Sequence, residues 1–374
     1  MAGNRGKTPN NVTIMKLIAA SGGRCQFKGC NCNLFVDEIT WAKFNSSNVA
    51  HIVASSPNGP RGSEKSKELS DSIENLMLLC PMHHKEIDNE IDKYPVETLL
   101  EMKQSQEKKV QEMLDGMNFS NAEIVILQSP IKGRIEVHVD KKQTVEALRK
   151  LNKNPASTIP ILIDLDSFGE YSSKQYWEIL EKKLEQEVKS KIFSRLQYNP
   201  ELRLAIFPIA PIPLIAKLGE LIGDKRIVDI FQKKRVPDTW CWDHEEVTNS
   251  FSTETIIIEG NPTKVALVLS LTAQIEPARI TSVFDAGTII HIQAENKGVD
   301  CVLSIEDLKL FWKEYQSACD SIKNDGSKSM VALFPAVPVS VAFEIGRRHM
   351  PGAHLPLHIY EEDNGFFETL VIGG

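Results

Sequence analysis

The stretch "NLMLLCPMHHKEID", Asn75–Asp88, holds one cysteine, two adjacent histidines, an asparagine and two carboxylates within 14 residues of a 374-residue chain. Neighbouring side chains on a helix point about 100° apart, because the helix has 3.6 residues per turn. His83 and His84 therefore serve two different places. Upstream, Cys25-x4-Cys30 supplies a second close pair of metal-preferring groups, and Cys80-x2-His83 follows 50 residues later. Two such pairs suit a closed, tetrahedral, structural Zn2+ site that ties distant segments of a small core together. Cys32 is an alternative to Cys30. Cys30 is preferred because "CQFKGC" places a glycine turn just before it. This assignment leaves His84 unused, along with His51 in "NVAHIVASSPNGPRG" and Asn75.

Those leftover residues carry a resemblance. "AHIVAS" followed by "SIENLMLLCPMHHKEID" resembles the HNH endonuclease motif, a ββα-metal nuclease fold, over roughly residues 20–105. By position, the resemblance implies that His51 is the general base and Asn75 the middle asparagine. His84 would be the ligand of a catalytic divalent cation such as Mg2+. Cys25, Cys30, Cys80 and His83 match the zinc-stabilised subset of that family, in which a cysteine often stands where His83 is here. Asn75 either helps ligate the catalytic metal or holds the loop carrying His51. The residue types fit phosphodiester hydrolysis, which needs a base near neutral pH and a cation against the scissile phosphate. Many family members carry Asp or His just before the general base, where this chain has Ala50. Asp88, one turn after His84 on the same helix face, is a candidate for the missing ligand, or else a surface carboxylate.

The bulk composition sets the frame. A hydrophobic content of 42% and a charged content of 25% are ordinary for a soluble globular protein. No apolar run reaches the ~18–20 residues of a membrane helix. The start, "MAGNRGKTPNNVTIMK", lacks the apolar core of a signal peptide, so a cytoplasmic protein is expected. Four of the seven cysteines fall in the first 80 residues, a metal-site pattern rather than a disulfide framework. The net charge of −7 divides into −1 for residues 1–120 and −6 for the rest. Bulk charge gives no drive toward nucleic acid, so a specific site must supply it.

Three segments follow along the chain. Residues 1–120 form the Cys/His-rich domain, closed by the amphipathic helix "VETLLEMKQSQEKKVQEML". Residues 121–155 read as a connector with a strand at "GRIEVHVD" and a helix at "KKQTVEALRKLNKN". From 156 to 374, strands alternate with helices in two α/β units, about 156–258 and 259–374. "TIPILIDLDSF" reads as a strand buried on both faces. Ser172 or Ser173 caps the helix that follows it. "RLAIFPIAPIPLIAKLGEL" and "MVALFPAVPVSVAFEIGRR" align without a gap, and "DIFQ" is echoed by "HIYE". Two copies of one plan fit a face-to-face pseudo-dimer. Parallel sheets bind ligands at the carboxyl ends of their strands. The candidate ligand residues there are Asp166, Ser167, Pro208, Pro211, Thr272, Pro335 and Pro338. "QKKRVPDTWCWDHEE" adds Lys234, Arg235, Trp240 and Trp242. The two tryptophans would share a face if the segment is a strand, beside cations fit to neutralise a phosphate.

This half resembles the SAVED domain, a fusion of two CARF-like Rossmann units, over about residues 156–374. An HNH nuclease followed by SAVED is similar to effectors of cyclic-oligonucleotide-based antiphage signalling (CBASS). The resemblance implies a bacterial cytoplasmic nuclease that is inactive until a cyclic dinucleotide, or alternatively a cyclic trinucleotide, binds SAVED. Binding would drive homo-oligomerisation to a dimer, tetramer or larger assembly, followed by degradation of double-stranded DNA. The competing expectation is a restriction-type HNH nuclease whose C-terminal half reads modified or foreign DNA. The −6 charge of that half argues against it. A third is a zinc-stapled, non-enzymatic adaptor.

Overall fold

β1 (Asn48–His51) pairs antiparallel with β2 (Leu76–Leu79), and this pairing sets His51 opposite Leu76. The computed structural model describes residues 6–37, 39–132, 135–166, 169–242 and 244–374. It divides into two units, Met1–Asn118 and Phe119–Gly374.

In the first unit, α1 (Asn11–Ser21) starts at Asn10, whose side chain accepts from Thr13 N at 3.0 Å, and ends at Gly22 with φ 61. The left-handed turn there suits glycine. A short helical turn, α2 (Ser66–Leu69), precedes β2. α3 (Pro81–Asn89) follows β2 directly, with Cys80 at its N-cap and Pro81 opening the helix. α4 (Val96–Asp115) is the closing helix expected from its periodicity. Leu17, Leu34, Ile52, Leu76, Leu78, Ile87 and Leu99 form the core, each at most 1% exposed.

The second unit opens with β3 (Ser120–Gln128), α5 (Lys141–Lys150), β4 (Lys153–Pro155) and β5 (Ile161–Asp164). α6 (Lys174–Glu187) runs through a π turn into α7 (Ser194–Tyr198), and β6 (Arg203–Ile209) follows. Next come α8 (Ile212–Ile222), β7 (Val228–Ile230) and the small hairpin β8 (Lys234–Arg235) and β9 (Asp238–Thr239). The second half holds β10 (Phe251–Ile257), β11 (Asn261–Ser270), α9 (Pro277–Thr281) and β12 (Ala286–Ala294). It closes with α10 (Ile305–Asp325), β13 (Met330–Ala336), α11 (Val339–Arg347), β14 (Leu357–Glu362) and β15 (Phe366–Ile372). One sheet is parallel in the order β4-β3-β6-β7, with β5 also on β3. The other runs β10-β12-β11-β13-β14-β15, with antiparallel strands only at its two edges.

Three expectations need correction. Residues 121–155 are no connector: β3 is the central strand of the first sheet, and Val125 and Leu127 are fully buried. The strand expected at "GRIEVHVD" is absent among its described residues, of which Ile135 forms an isolated bridge with Ile131, upstream of the stretch. The hydrophobic run that pairs lies earlier, in "AEIVILQ". β5 is not buried on both faces. Among the described residues it pairs only with β3, and Leu162 is 43% exposed.

The repeat holds in three dimensions. β6–α8 and β13–α11 take the same path, and the two helices cross at Gly219 and Gly346. Ser173 is the cap of α6, accepting from Tyr176 N, and Trp177, Leu180, Leu184, Val188 and Ile192 are fully buried below it. Among the described residues no helix is long and apolar enough to cross a membrane.

Candidate functional site

Cys25, Cys30, Cys80 and His83 converge, their ligand atoms all within 4.8 Å of one another. His83 Nδ1 is 3.1 Å from Cys80 Sγ and 3.7 Å from Cys25 Sγ. Its ring stacks on Phe27 at 4.0 Å with 4° between planes, which fixes the imidazole edge toward the sulfurs. Burial pushes the Cys25 thiol up, and the neighbouring Cys80 and Cys30 sulfurs add to this. Three sulfurs and one imidazole held this close are the donor set of a metal ion, which offsets the cost of ionising buried thiols. Cys32 stands outside the four, its Sγ 3.5 Å from Cys30 Sγ.

His84 points elsewhere. It lines an open cleft of about 530 Å³ together with His51 and Asp88. His51 Nε2 lies 3.0 Å from the carbonyl oxygen of Ser70. A carbonyl only accepts, so Nε2 is the donor, and in the neutral ring the lone pair then sits on Nδ1. Asn75 is 5% exposed and bonds the chain after β1: its Oδ1 accepts from Val53 N at 2.8 Å, and its Nδ2 donates to Val53 O at 2.8 Å and Leu69 O at 3.2 Å. This favours loop holding over metal ligation, since both polar atoms are already engaged. Asp88 Oδ1 meets Arg61 Nη2 at 3.3 Å, while Oδ2 lies 3.7 Å from His84 Nε2. Ala50 faces the core at 1% exposure.

Sequence reasoning missed Arg61. Its side chain is 3% exposed, its Nε donates to Ile52 O and its Nη1 to Ile87 O, both at 2.7 Å. It thereby joins the chain beside His51 to the helix carrying His84. Its place in "GPRG" marks a turn, and nothing in the pattern marks burial.

The expected ligand residues scatter. Asp166 borders a hollow of about 310 Å³ at the carboxyl ends of β3 and β5, with Gln128, Ser129 and Asp164. Ser167 lies outside the described residues. Pro208 and Pro335 sit in β6 and β13, opposite Leu127 and Leu269, and Pro211 and Pro338 are buried at the starts of α8 and α11. Thr272 N donates to Ala336 O at 2.8 Å. Lys234 is buried and Arg235 exposed in the β8–β9 hairpin. Trp240 is fully buried, edge-on to Phe207 at 5.4 Å, so it stacks on core rather than on a base. Trp242 is half-buried and donates to Ile230 O at 3.2 Å. The tryptophans do not share an open face because β9 ends at Thr239 and strand alternation does not reach them.

Fold and site define a two-part protein, an HNH endonuclease domain followed by a paired α/β sensor domain. The chain belongs to the SAVED family, the SMODS-associated sensor domain fused to various effectors, whose pattern matches residues 184–372. The HNH endonuclease pattern matches residues 25–91. Among solved structures, the Acinetobacter baumannii Cap4 SAVED/CARF-domain containing receptor with the cyclic trinucleotide 3'3'3'-cAAA is 14% identical, with a TM-score of 0.46. That alignment covers 82% of this chain and 66% of the receptor, just under two thirds. The Moraxella osloensis Cap4 receptor is 15% identical, with a TM-score of 0.41, covering 77% of this chain and 60% of that one. No curated protein matches the chain.

Proposed function

We propose that the chain is a metal-dependent endonuclease that cleaves double-stranded DNA once a cyclic oligonucleotide occupies its sensor domain. It would act as a CBASS effector in the bacterial cytoplasm. The observation that carries this reading is the cleft that His51, its Nε2 tied to Ser70 O, shares with His84 and Asp88.

His51 Nδ1 takes the proton of the attacking water, and Ser70 O holds the ring through Nε2. Asn75 keeps the segment after β1 in place by gripping both polar atoms of Val53. His84 is the proposed ligand of the catalytic cation, with Asp88 Oδ2 as its neighbour and Arg61 restraining the other carboxylate oxygen. Mg2+ bound there supplies charge stabilisation at the scissile phosphate and the leaving oxygen. The Cys3His cluster would hold a structural zinc ion.

In the sensor, a cyclic dinucleotide is the proposed ligand, with a cyclic trinucleotide as the alternative. The loops at the carboxyl ends of the strands, near Asp166, Pro211, Thr272 and Pro338, would receive it. Ligand binding would assemble several copies. A nuclease domain of charge −1 grips DNA weakly alone, and an assembly shares the backbone contacts.

The test is nicking of a supercoiled plasmid by the full chain with activating nucleotide and Mg2+. Cleavage that persists in EDTA, or in His51→Ala with unchanged folding, contradicts the mechanism.

A further inference from the structure

β7 is the last strand of its sheet, and among the described residues no strand covers its outer edge. Leu204 N donates to Ile227 O and Phe231 N to Ile206 O, so the odd-numbered residues here bond to β6. Val228 and Ile230 therefore turn their backbone groups outward. Of these, Ile230 O accepts from Trp242 Nε1.

The second half contains the same edge in a filled state. β14 pairs with β13 in the register β7 keeps with β6: Leu357 and Ile359 stand where Val228 and Ile230 do. The outer edge of β14 carries β15 antiparallel, Leu357 opposite Ile372 and His358 opposite Val371. Phe367 of β15 packs on Tyr171 at 5.9 Å and on Trp177 at 6.5 Å. Gly373 N, just beyond β15, donates to Glu220 at 2.6 Å. In the repeat, Glu220 aligns with Arg347.

Beside β7 the corresponding space is a groove of about 230 Å³ lined by Val228, Ile230, Trp242, Leu308, Trp312, Arg347 and Arg348. A second hollow of about 280 Å³ continues past Trp312 and Arg348 to Asp224 and His354. The wall differs in charge from its filled counterpart. Glu344, 4% exposed, carries both Arg347 (2.8 and 3.0 Å) and Arg348, one carboxylate against two guanidiniums. Arg348 also lies 4.9 Å over the Trp312 ring.

We infer that the outer edge of β7 is a docking groove for an extended peptide segment of a partner protein. The segment adds as an antiparallel strand, as β15 does beside β14. Its backbone meets both polar groups of Val228 and the N–H of Ile230, whose carbonyl Trp242 already holds, an apolar side chain enters between Leu308 and Trp312, and a carboxylate meets Arg347 and Arg348. This assignment is independent of the nuclease and nucleotide readings.

The probe is a fluorescein-labelled peptide of sequence FFETLVIGG, the β15 segment that fills the equivalent edge, titrated with the full chain by fluorescence polarisation. Saturable binding is expected, weakened at least about tenfold by Arg348→Glu and by Val228→Pro. Arg348→Glu alone decides if Val228→Pro fails to fold. No saturable binding, or equal binding by an Arg348→Glu chain with an unchanged melting temperature, overturns the inference. Self-association of the chain that the peptide displaces overturns the assignment to a foreign partner, giving the groove to a second copy.

Discussion

Gly219 in α8 and Gly346 in α11 occupy reciprocal positions where the two helices cross. A Cβ on Gly219 would overlap Phe343 O and crowd Arg347 N. A Cβ on Gly346 would overlap Ala216 O and crowd Glu220 N. In the repeat, Ala216 aligns with Phe343 and Glu220 with Arg347, so each glycine meets the counterpart of what the other meets. This is the contact of a pseudo-two-fold axis, and it joins the two α/β halves.

Either glycine replaced by alanine forces backbone apart rather than a flexible side chain. Gly346→Ala should cost about 3 kcal/mol and lower the melting temperature of the sensor unit. Metal content at the cysteine cluster should not change. Calorimetry of the full chain checks it, and an unchanged melt would remove the close crossing.

His51 and Asn75 should separate by their readouts. His51→Ala should lower cleavage about 10²–10⁴-fold and leave the melt unchanged, because the half-buried ring makes one hydrogen bond, to Ser70 O. Asn75→Ala leaves Val53 N, Val53 O and Leu69 O without their side-chain partner. It should lower both cleavage and stability, by about 1–3 kcal/mol for the stranded groups. Equal melts for the two variants would contradict loop holding.

Metal removal should act on folding before chemistry. A strong chelator, or Cys80→Ser, should unfold the first unit, whose ligand pairs come from segments 50 residues apart. Cys32→Ser should keep full metal content, since its sulfur lies outside the four. Elemental analysis beside a thermal melt checks both, and a metal-depleted Cys32→Ser would reassign the fourth ligand.

Asp307 should make stability depend on acid. Burial opposes its ionisation, but donors at Thr248, Asn249, Leu303 and Ser304 outweigh this and hold its carboxyl below the usual range. A depressed folded-state pKa contributes stability above the unfolded value of about 3.9 and loses it as pH falls through the folded value. Asp307→Asn should cost about 3 kcal/mol at pH 7. The gap from wild type should narrow below about pH 4. A gap independent of pH would show that shape, not charge, is what matters at the start of α10.

The Cys/His cluster was legible because chemistry restricts metal ligands to a few residue types at short spacing, as in Cys80-x2-His83, and the candidate His84 stood out as the histidine that cluster leaves unused. The repeat was legible because proline and glycine punctuate both copies alike. β3 was not, because "AEIVILQ" follows a polar helix end and resembles a linker until it is paired with β6 on one side and β4 and β5 on the other. Trp240 and Trp242 misled because alternation has meaning only inside a strand. Arg61 was invisible because burial of an arginine depends on carbonyls from Ile52 and Ile87, which lie far apart in sequence.

The central claim is that the sensor controls the nuclease. The direct measurement is the plasmid cleavage rate of one preparation of the full chain in Mg2+, with and without each of a panel of cyclic di- and trinucleotides. The account predicts cleavage at least about 100-fold faster with one of them and background cleavage with the rest. Equal cleavage in every lane, including the lane without nucleotide, would contradict it.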